Sequence, residues 1–178
     1  MSLDMLLTQV DSQCHIPPVD RWVPACCGDL DLTIARDGRW YHEGSPFTNE
    51  RVRRLLSKLL RREENGEHYL VVPNEKWRIH VEDCAFLIVD ADLQDERWLL
   101  TTDVGDQFML EAIHRLQLSE GVAPSVKVRF GLSARLNRNV FYRLAEVAQP
   151  GSNESINEIG IVSAGIWQPL GRLSAEQS

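Results

Sequence analysis

The stretches FTNERVRRLLSKL, residues 47–59, and LNRNVFYRLAEVA, residues 136–148, share one pattern that decides how the chain is divided. Each has a candidate helix cap before an amphipathic run, namely Thr48 or Asn49 in the first stretch and Asn137 in the second. Such side chains accept a hydrogen bond from a free amide of the first helical turn. The two stretches therefore predict two capped helices, each following a strand-like segment.

The segments around the first stretch predict a small sheet. Within DLDLTIARDGRWYHEG, residues 29–44, Asp37-Gly38 is a strong hairpin signal, and a two-residue turn there sets Ala35 opposite Trp40 and Ile34 opposite Tyr41. HYLVVP and KWRIHVED predict a second strand pair around Pro73-Asn74, and CAFLIVDAD predicts a central strand. The helix is predicted to end near Asn65-Gly66, with an apolar stripe of Val52, Leu55, Leu56, Leu59 and Leu60.

A similar order follows in the second half. RWLLTTDVGDQFML and SVKVRFGLSARL each predict two strands, Asn137 caps a helix with Val140, Leu144 and Val147 on one face, and EIGIVSAGIWQPLG predicts a closing strand or hairpin. The fold class predicted is α+β, with two similar lobes from an internal duplication, each running strands, capped helix, strands. The predicted segments are an N-terminal arm at 1–24, a first lobe at 25–92 and a second lobe at 93–178.

Composition narrows the functional classes. The 178 residues are 43% hydrophobic and 25% charged, which is typical of a globular protein, and the formal net charge of −7 argues against nucleic acid as a partner. The longest apolar run, Ala85–Val89, is far shorter than a membrane span, and Asp4 lies where a signal peptide carries basic residues. We therefore expect a cytoplasmic protein without membrane contact, whose cysteines, Cys14, Cys26, Cys27 and Cys84, are free thiols.

Known catalytic motifs are missing from the sequence. Ser163-Ala164-Gly165 lacks the glycine that precedes the serine of a nucleophile elbow, and the chain contains neither a phosphate-binding loop nor a dinucleotide fingerprint. His114 follows a hydrophobic strand, where a lone histidine is more often structural than catalytic. No catalytic residue, cofactor or metal is predicted.

Three arginines form the best candidate for a binding site. Arg129, Arg135 and Arg138 flank the junction between strand and helix in the second half, where a helix N-terminus already favours anions. Arginine binds phosphate or carboxylate through two parallel hydrogen bonds. The alternative is that Arg135 and Arg138 pair with acidic residues and have only a structural role.

Three further candidate binding residues, Trp40, Glu75 and Lys76, can also be explained by a purely structural role. Trp40 is either a core residue or a surface on which a base stacks. Glu75 and Lys76 lie at a hairpin turn and are either an exposed ion pair or a means of orienting a polar ligand.

Seven segments spread over Pro17 to Gly171 carry a family resemblance: PPVDRW, CGDLDLTIARDGRWYHEGSP, LVVPNEKWRIHVED, TTDVGD, VRFGLSARLNR, VFYRLAEVA and a final PLG. Together they resemble the bacterial family DUF1285, a domain of unknown function. The matching positions include Asp37, Gly38, Trp40, Gly44, Pro46, Pro73, Glu75, Lys76, Arg129, Gly131, Leu132, Ala134, Arg135 and Arg138. The chain departs from the pattern at Asn49, where an arginine is expected, and at Val162, Ala164 and Gly165 in the last strand.

The resemblance implies a duplicated α+β fold whose C-terminal lobe is like a pleckstrin-homology domain. It also implies a small anionic, nucleotide-like ligand in a groove between the lobes, and a role in signal transduction. The alternative is an interaction scaffold that binds a protein partner and no small ligand. An enzyme that uses His114 is the least favoured interpretation. The ligand-binding residues predicted on this basis are Trp40, Asn49, Glu75, Lys76, Arg129, Arg135 and Arg138.

Overall fold

The computed structural model of the chain describes Leu7, residues 15–153 and residues 157–174. The chain divides into two compact units. Unit 1 is formed by the chain up to Ala85 together with Arg129–Leu132, and unit 2 by Phe86–Val128 and the chain from Ser133 onward.

The described part of unit 1 contains a six-stranded sheet and one α-helix. A 3-10 helix, Val19–Arg21, precedes the sheet, and the other elements are β1 Cys26–Ile34, β2 Trp40–His42, β3 Ser45–Pro46, α1 Glu50–Ser57, β4 Leu60–Arg62, β5 His68–Val71 and β6 Glu75–Val81. The strand order is β3-β2-β1-β6-β5-β4, in which β1 and β6 are parallel and the other pairs antiparallel. The predicted strand pair around Pro73-Asn74 is confirmed as β5 and β6.

Helix α1 begins as predicted but ends early. The Asn49 side chain accepts a hydrogen bond from the Val52 amide at 3.2 Å, which makes Asn49 the N-cap. The prediction that the helix continues to Asn65-Gly66 is wrong, since the chain leaves the helix after Ser57 and enters β4. Gly66, at φ +84°, lies instead in the turn between β4 and β5. An Asn-Gly pair suits a hairpin turn as well as a helix end, so the local pattern was ambiguous.

The hairpin between β1 and β2 is confirmed, but its predicted register is wrong by one residue. Ile34 pairs with Trp40, and both side chains lie in the core. The Ala35 amide donates to the Arg39 carbonyl and Gly38 has a φ of +84°. The loop is therefore three residues long and ends in a left-handed glycine, an arrangement that is next in frequency to the two-residue turn.

Unit 2 contains two sheets and one α-helix in its described part, except that the terminal residues of two of its strands, Arg129 and Leu132, belong to unit 1. The elements are β7 Phe86–Gln94, β8 Arg97–Thr102, β9 Gln107–Met109, β10 Leu116–Ser119, β11 Val122–Arg129, β12 Leu132–Leu136, α2 Arg138–Glu146, β13 Gln149–Pro150, β14 Glu158–Ser163 and β15 Ile166–Arg172. The larger sheet has the order β10-β11-β12-β7-β8-β9, with β12 and β7 parallel, and the smaller one the order β13-β14-β15. Strand β7 is central, as predicted, and it runs through the predicted lobe boundary between residues 92 and 93.

The two six-stranded sheets have the same topology. Each sheet consists of two three-stranded meanders that meet at a central pair of parallel strands. One meander contributes its first strand to this pair, β1 or β7, and the other contributes its last strand, β6 or β12. The capped helices occupy different places, because α1 separates the two meanders of unit 1 whereas α2 follows both meanders of unit 2. The chain therefore has two similar, mostly β units, and the likeness is greater in the strands than in the helices.

Helix α2 packs through a short apolar face. Val140 and Leu144 are buried, whereas Val147, predicted on the same face, is 57% exposed. Val147 is the C-cap residue, with φ −107° and ψ 5°, so it lies beyond the last regular turn and does not follow the helical periodicity.

Two buried polar side chains connect the smaller sheet of unit 2 to the larger one. Ser163 Oγ accepts from the Trp98 amide at 2.9 Å and donates to the Leu110 carbonyl at 2.8 Å. Gln168 Oε1 accepts from the Leu116 amide at 2.8 Å, and its Nε2 donates to the Glu111 carbonyl at 3.4 Å. Both side chains are completely buried, and they supply hydrogen-bond partners for the buried backbone groups of Trp98, Leu110 and Leu116.

The cysteines that the structure describes form no disulfide. Cys26 and Cys27 are exposed at the start of β1, and Cys84 is of intermediate exposure. The prediction for Cys14 lies outside the described residues. A helix long and apolar enough to cross a bilayer is absent from the described part of the chain.

His68 on β5 predicts a dependence of stability on pH. Burial, with smaller contributions from Arg62 and His80, lowers the pKa of His68 from 6.5 to about 4. The unfolded chain then binds a proton near pH 6.5 while the folded chain does not, so stability present above pH 6.5 is lost as the pH falls toward 4. Because His68 is partly exposed, we expect a loss of about 1 to 2 kcal/mol between pH 7 and pH 5.

Urea unfolding at pH 7 and pH 5 measures this loss. His68→Gln should reduce the difference between the two pH values, whereas His42→Gln, a matched change in the same unit, should leave it in place. The lowered pKa values of Glu50 and Glu63 change stability mainly below pH 5, because the unfolded groups take up protons around their ordinary value of 4.5. An equal difference in the wild type and His68→Gln would contradict the prediction.

Candidate functional site

The structure distributes the predicted binding residues over both units. Unit 1 contains Trp40, Asn49, Glu75, Lys76 and Arg129, and unit 2 contains Arg135 and Arg138. Each residue is therefore considered within its own unit.

Two of the unit 1 residues, Trp40 and Asn49, belong to its framework. Trp40 is 2% exposed and lies against Phe47, with 6.4 Å between ring centroids. Asn49 uses its side-chain oxygen as the cap of α1. Two buried polar atoms of Trp40 and Glu75 have no hydrogen-bond partner among the described residues. They are the indole nitrogen of Trp40 and Oε2 of the partly buried Glu75.

Lys76 is held by two neighbours on the sheet. Its Nζ donates to both carboxylate oxygens of Glu63 at 2.8 Å and lies 4.5 Å from the centre of the Tyr69 ring. Burial alone would raise the pKa of Glu63, but the hydrogen bonds from Lys76 and Arg61 outweigh it and keep that pKa below its usual value. Lys76 is thus engaged within the protein.

Unit 1 has a cavity of about 470 Å³ beside this cluster. Its lining residues are Asp20, Arg61, Arg62, Glu63, Glu64, Asn65 and Phe130. Arg61 Nη1 donates to the carbonyls of Val19 and Trp22, both at 2.8 Å, and its Nη2 pairs with Glu63. The most buried cation of this cavity therefore holds the segment around the 3-10 helix against β4 and is not directed at a ligand.

Two of the three candidate arginines bind backbone carbonyls. Arg129 Nη1 donates to the Ser57 carbonyl at 3.4 Å, at the end of α1. Arg135 Nη1 donates to the Ala123 carbonyl at 2.7 Å, on the neighbouring strand β11. Neither of these bonds requires an acidic partner.

Arg138 is placed differently, on the wall of a large open cavity in unit 2. The cavity has a volume of about 1130 Å³. It is lined by Leu118, Ser119, Glu120, Gly121, Val122, Ala123, Arg138, Phe141, Tyr142, Leu170, Gly171, Arg172 and Ser174. The guanidinium carbon of Arg138 lies 5.9 Å from the centre of the Tyr142 ring, and Arg138 has no ion pair among the described residues.

Helix α2 fixes the position of Arg138. Asn137 caps the helix by accepting a hydrogen bond from the Val140 amide at 2.8 Å, so Arg138 is the first helical residue. Farther along, Arg143 binds Asp90 Oδ1 at 2.6 Å and the Ala91 carbonyl at 2.8 Å, which ties the helix to β7. The same helix thus carries one arginine that is used structurally and one that faces a cavity.

The walls of this cavity combine cationic and apolar groups with one carboxylate, that of Glu120. Arg138 and Arg172 provide two guanidinium groups, and the N-terminus of α2 adds the partial positive charge of its dipole. Phe141 and Tyr142 provide aromatic surface, with ring centroids 5.9 Å apart and planes inclined by 58°. An anion that carries a ring would find both kinds of contact here.

Arg172 and Tyr142 were not predicted from the sequence as members of this surface. Tyr142 could have been found, because it lies four residues after Arg138 and such residues are neighbours on a helix. Arg172 could not, since only the pairing of β14 with β15 brings the end of β15 to its position.

His114 has structural contacts. Its Nδ1 lies 2.9 Å from the Lys127 carbonyl oxygen, and its ring centroid is 4.6 Å from that of Phe108. Among the residues that the structure describes, no group of three or more histidine, cysteine or acidic side chains is arranged to hold a metal ion.

Comparisons with known proteins identify the family. The model described as "Domain of unknown function (DUF1285), N-terminal domain" matches residues 17–84, and that described as "Protein of unknown function (DUF1285), C-terminal domain" matches residues 85–170. No curated protein matches the chain.

Two solved structures share the fold. A DUF1285 family protein from Silicibacter pomeroyi DSS-3 is 33% identical, with 96% of this chain and 95% of that one covered and a TM-score of 0.86. A DUF1285 family protein from Shewanella baltica OS155 is 23% identical, with 66% and 91% covered and a TM-score of 0.56. The suspected resemblance is thereby confirmed, and the chain belongs to the DUF1285 family.

Proposed function

We propose that unit 2 binds a small anionic ligand of the nucleotide class in the cavity beside α2. The anionic group is held by Arg138 and the first turn of the helix, and the ring system lies against Phe141 or Tyr142. The observation that carries this proposal is Arg138 itself, exposed on a cavity wall with only the Tyr142 ring as its partner among the described residues.

Electrostatics favour an anion at this position. Arg143, in the last turn of α2, forms an ion pair with Asp90, whereas Arg138 has no carboxylate within ion-pair distance in the described part of the chain. Guanidinium groups form bidentate hydrogen bonds with phosphate and carboxylate, and a helix N-terminus favours the same groups. A phosphate ester therefore matches the site better than a neutral or cationic group.

The proposed role follows from the resemblance to the family. In this role, binding of the ligand to unit 2 is the signal, and the protein transmits the signal by acting on a protein partner.

Arg138→Ala should abolish most of the binding of mononucleotides while leaving the fold intact. A charge-assisted hydrogen bond of this kind contributes about 1.5 to 3 kcal/mol, so the dissociation constant should rise at least about tenfold. Thermal shifts with AMP, ADP, GMP and GDP measure the effect, because a ligand that binds only the folded state raises its stability.

Arg143→Ala is the matched control for this experiment. It removes the same charge from the same helix but lies at the contact with β7, so it should lower stability and leave the nucleotide-dependent shift in place. Circular dichroism of both variants checks the fold. Equal nucleotide shifts in the wild type and Arg138→Ala would refute the role of Arg138.

Peptide binding at the same cavity is a second candidate function. It is favoured by the exposure of Val122 and Tyr142 on the cavity wall, 42% and 55% respectively, since exposed apolar side chains around a concavity are typical of protein contacts. It also matches the alternative function stated with the family resemblance, in which a pleckstrin-homology-like C-terminal lobe binds a protein partner. Absence of any shift with all four nucleotides would favour this candidate.

A further inference from the structure

The side chain of Arg138 needs a neighbour that keeps its charged group in place. Arginine has several rotatable bonds, and freezing them when a ligand binds lowers the affinity. The Asn137 cap fixes the backbone of Arg138 at the start of α2, but the exposed side chain lies beyond that hydrogen bond. A residue that orders the guanidinium group beforehand would therefore strengthen anion binding.

The ring of Tyr142 is such a neighbour. The guanidinium carbon of Arg138 lies over this ring, 5.9 Å from its centre, which is within the roughly 6 Å range of a cation–π contact. A carboxylate partner would occupy the N–H donors of the arginine, as Asp90 does for Arg143. A ring attracts the charge and leaves donors available to a phosphate.

The geometry of α2 accounts for this contact. Tyr142 follows Arg138 by four residues within the same helix, so the two side chains are neighbours on one helix face. Helical side chains point back toward the N-terminus, so the ring of Tyr142 leans over the turn that contains Arg138.

Phe141 supports the ring of Tyr142 from the same helix. The two ring centroids are 5.9 Å apart and the planes are inclined by 58°, an arrangement that aromatic pairs favour. Phe141 is half-buried, whereas Tyr142 is 55% exposed. Phe141, Tyr142 and Arg138 all line the unit 2 cavity, so a partly buried ring is linked through Tyr142 to the exposed cation.

From these contacts we propose that Tyr142 is a positioning residue, which holds the Arg138 guanidinium group on the cavity wall before an anion binds. The inference rests on the proposed function and adds the residue that prepares Arg138 for its ligand. The contact uses the face of the ring, so the hydroxyl group of Tyr142 is not required for it.

Ribose 5-phosphate is the probe that isolates this effect. It carries the anion of a mononucleotide but no base, whereas the base of AMP could also stack on Tyr142 directly. NMR titrations with both ligands measure the dissociation constants. Tyr142→Leu should weaken the binding of ribose 5-phosphate about two- to fivefold, the range of an exposed cation–π contact, and Tyr142→Phe should restore it. Leucine is a good helix former and the site is exposed, so the fold should persist.

The Arg138 side chain itself gives a second measurement, in the absence of ligand. Its Nε–H resonance should show a ring-current shift in the wild type and in Tyr142→Phe, and this shift should disappear in Tyr142→Leu.

The outcomes separate this inference from the proposed function. Equal affinity of the wild type and Tyr142→Leu for ribose 5-phosphate would overturn the inference and leave the proposed function standing. The same holds if Tyr142→Phe fails to restore binding, or if the Arg138 resonance is unchanged in Tyr142→Leu. Binding of neither ribose 5-phosphate nor AMP to the wild type would overturn both.

Discussion

Replacing Gly131 by alanine is expected to destabilise unit 1 by roughly 2 to 5 kcal/mol, from left-handed backbone strain together with a steric clash. Gly131 has a φ of +75°, which costs little only for glycine. A Cβ atom built at this position would lie 2.6 Å from the carbonyl oxygen of Arg62, a contact closer than atoms tolerate.

The clash is severe because both partners are backbone. The Arg62 amide donates to the Phe130 carbonyl at 3.0 Å, so the turn at Phe130-Gly131 lies directly on the edge of β4. A flexible side chain could move away from an added methyl group, whereas a strand held by β5 can move only by losing its own hydrogen bonds.

Gly44→Ala is the control for this prediction. Gly44 is also in unit 1 and has a φ of +77°, but a Cβ there would meet nothing within 4 Å. It should therefore show only the left-handed strain, about 1 to 2 kcal/mol. Hydrogen exchange of the buried amides of β5 under native conditions reports on unit 1, and similar losses in Gly131→Ala and Gly44→Ala would show that the contact with Arg62 is unimportant.

Local features of the fold could be predicted because they depend on a few adjacent residues. Asn49 and Asn137 cap the two helices as expected, since an N-cap needs only its own side chain and the next three amides. The turns at Pro73-Asn74 and Phe130-Gly131 were likewise recognised from their flanking strands. The family resemblance identified the chain from residues distributed over its length.

Features that depend on distant residues could not be predicted. The apolar residues Leu59 and Leu60 are compatible both with a longer α1 and with the start of a strand. The structure has a strand here, β4, because β5 pairs with Leu60. Strand β10, Leu116–Ser119, was not predicted, because it is short and carries only two apolar residues.

The candidate site shows the same limit. The sequence pointed to Arg129, Arg135 and Arg138 as one group, because they are close along the chain. The structure gives Arg129 and Arg135 carbonyl partners of their own and places only Arg138 on the unit 2 cavity. The three residues lie on three different elements, Arg129 on β11, Arg135 on β12 and Arg138 on α2, so closeness along the chain does not bring their side chains together.

Gln168→Leu is expected to cause a loss of stability in unit 2 comparable to that of Gly131→Ala in unit 1. Leucine is close in size to glutamine but neither accepts from the Leu116 amide nor donates to the Glu111 carbonyl. Leaving the buried Leu116 amide unpaired costs about 1 to 3 kcal/mol, and the part-buried Glu111 carbonyl loses a longer and weaker bond, so the expected loss is about 2 to 4 kcal/mol.

The size of this effect depends on burial. Gln168 is 0% exposed, so water cannot replace the lost hydrogen bonds without opening the space between β10 and β15. Gln117→Leu on β10 is the control, because Gln117 is exposed and a surface change of this kind alters stability by only about 0.5 kcal/mol. Urea unfolding of both variants, followed by circular dichroism, measures the difference.

Gln168→Glu distinguishes the role of donor from that of acceptor. A buried carboxylate could still accept from the Leu116 amide, but it could not donate to the Glu111 carbonyl while ionised. Its burial favours the protonated form, which restores a donor, so the variant should become more stable relative to the wild type as the pH is lowered toward 5. If Gln168→Leu and Gln117→Leu unfold at the same urea concentration, the bridge between the two sheets contributes nothing measurable, and packing alone must hold β15 against β10.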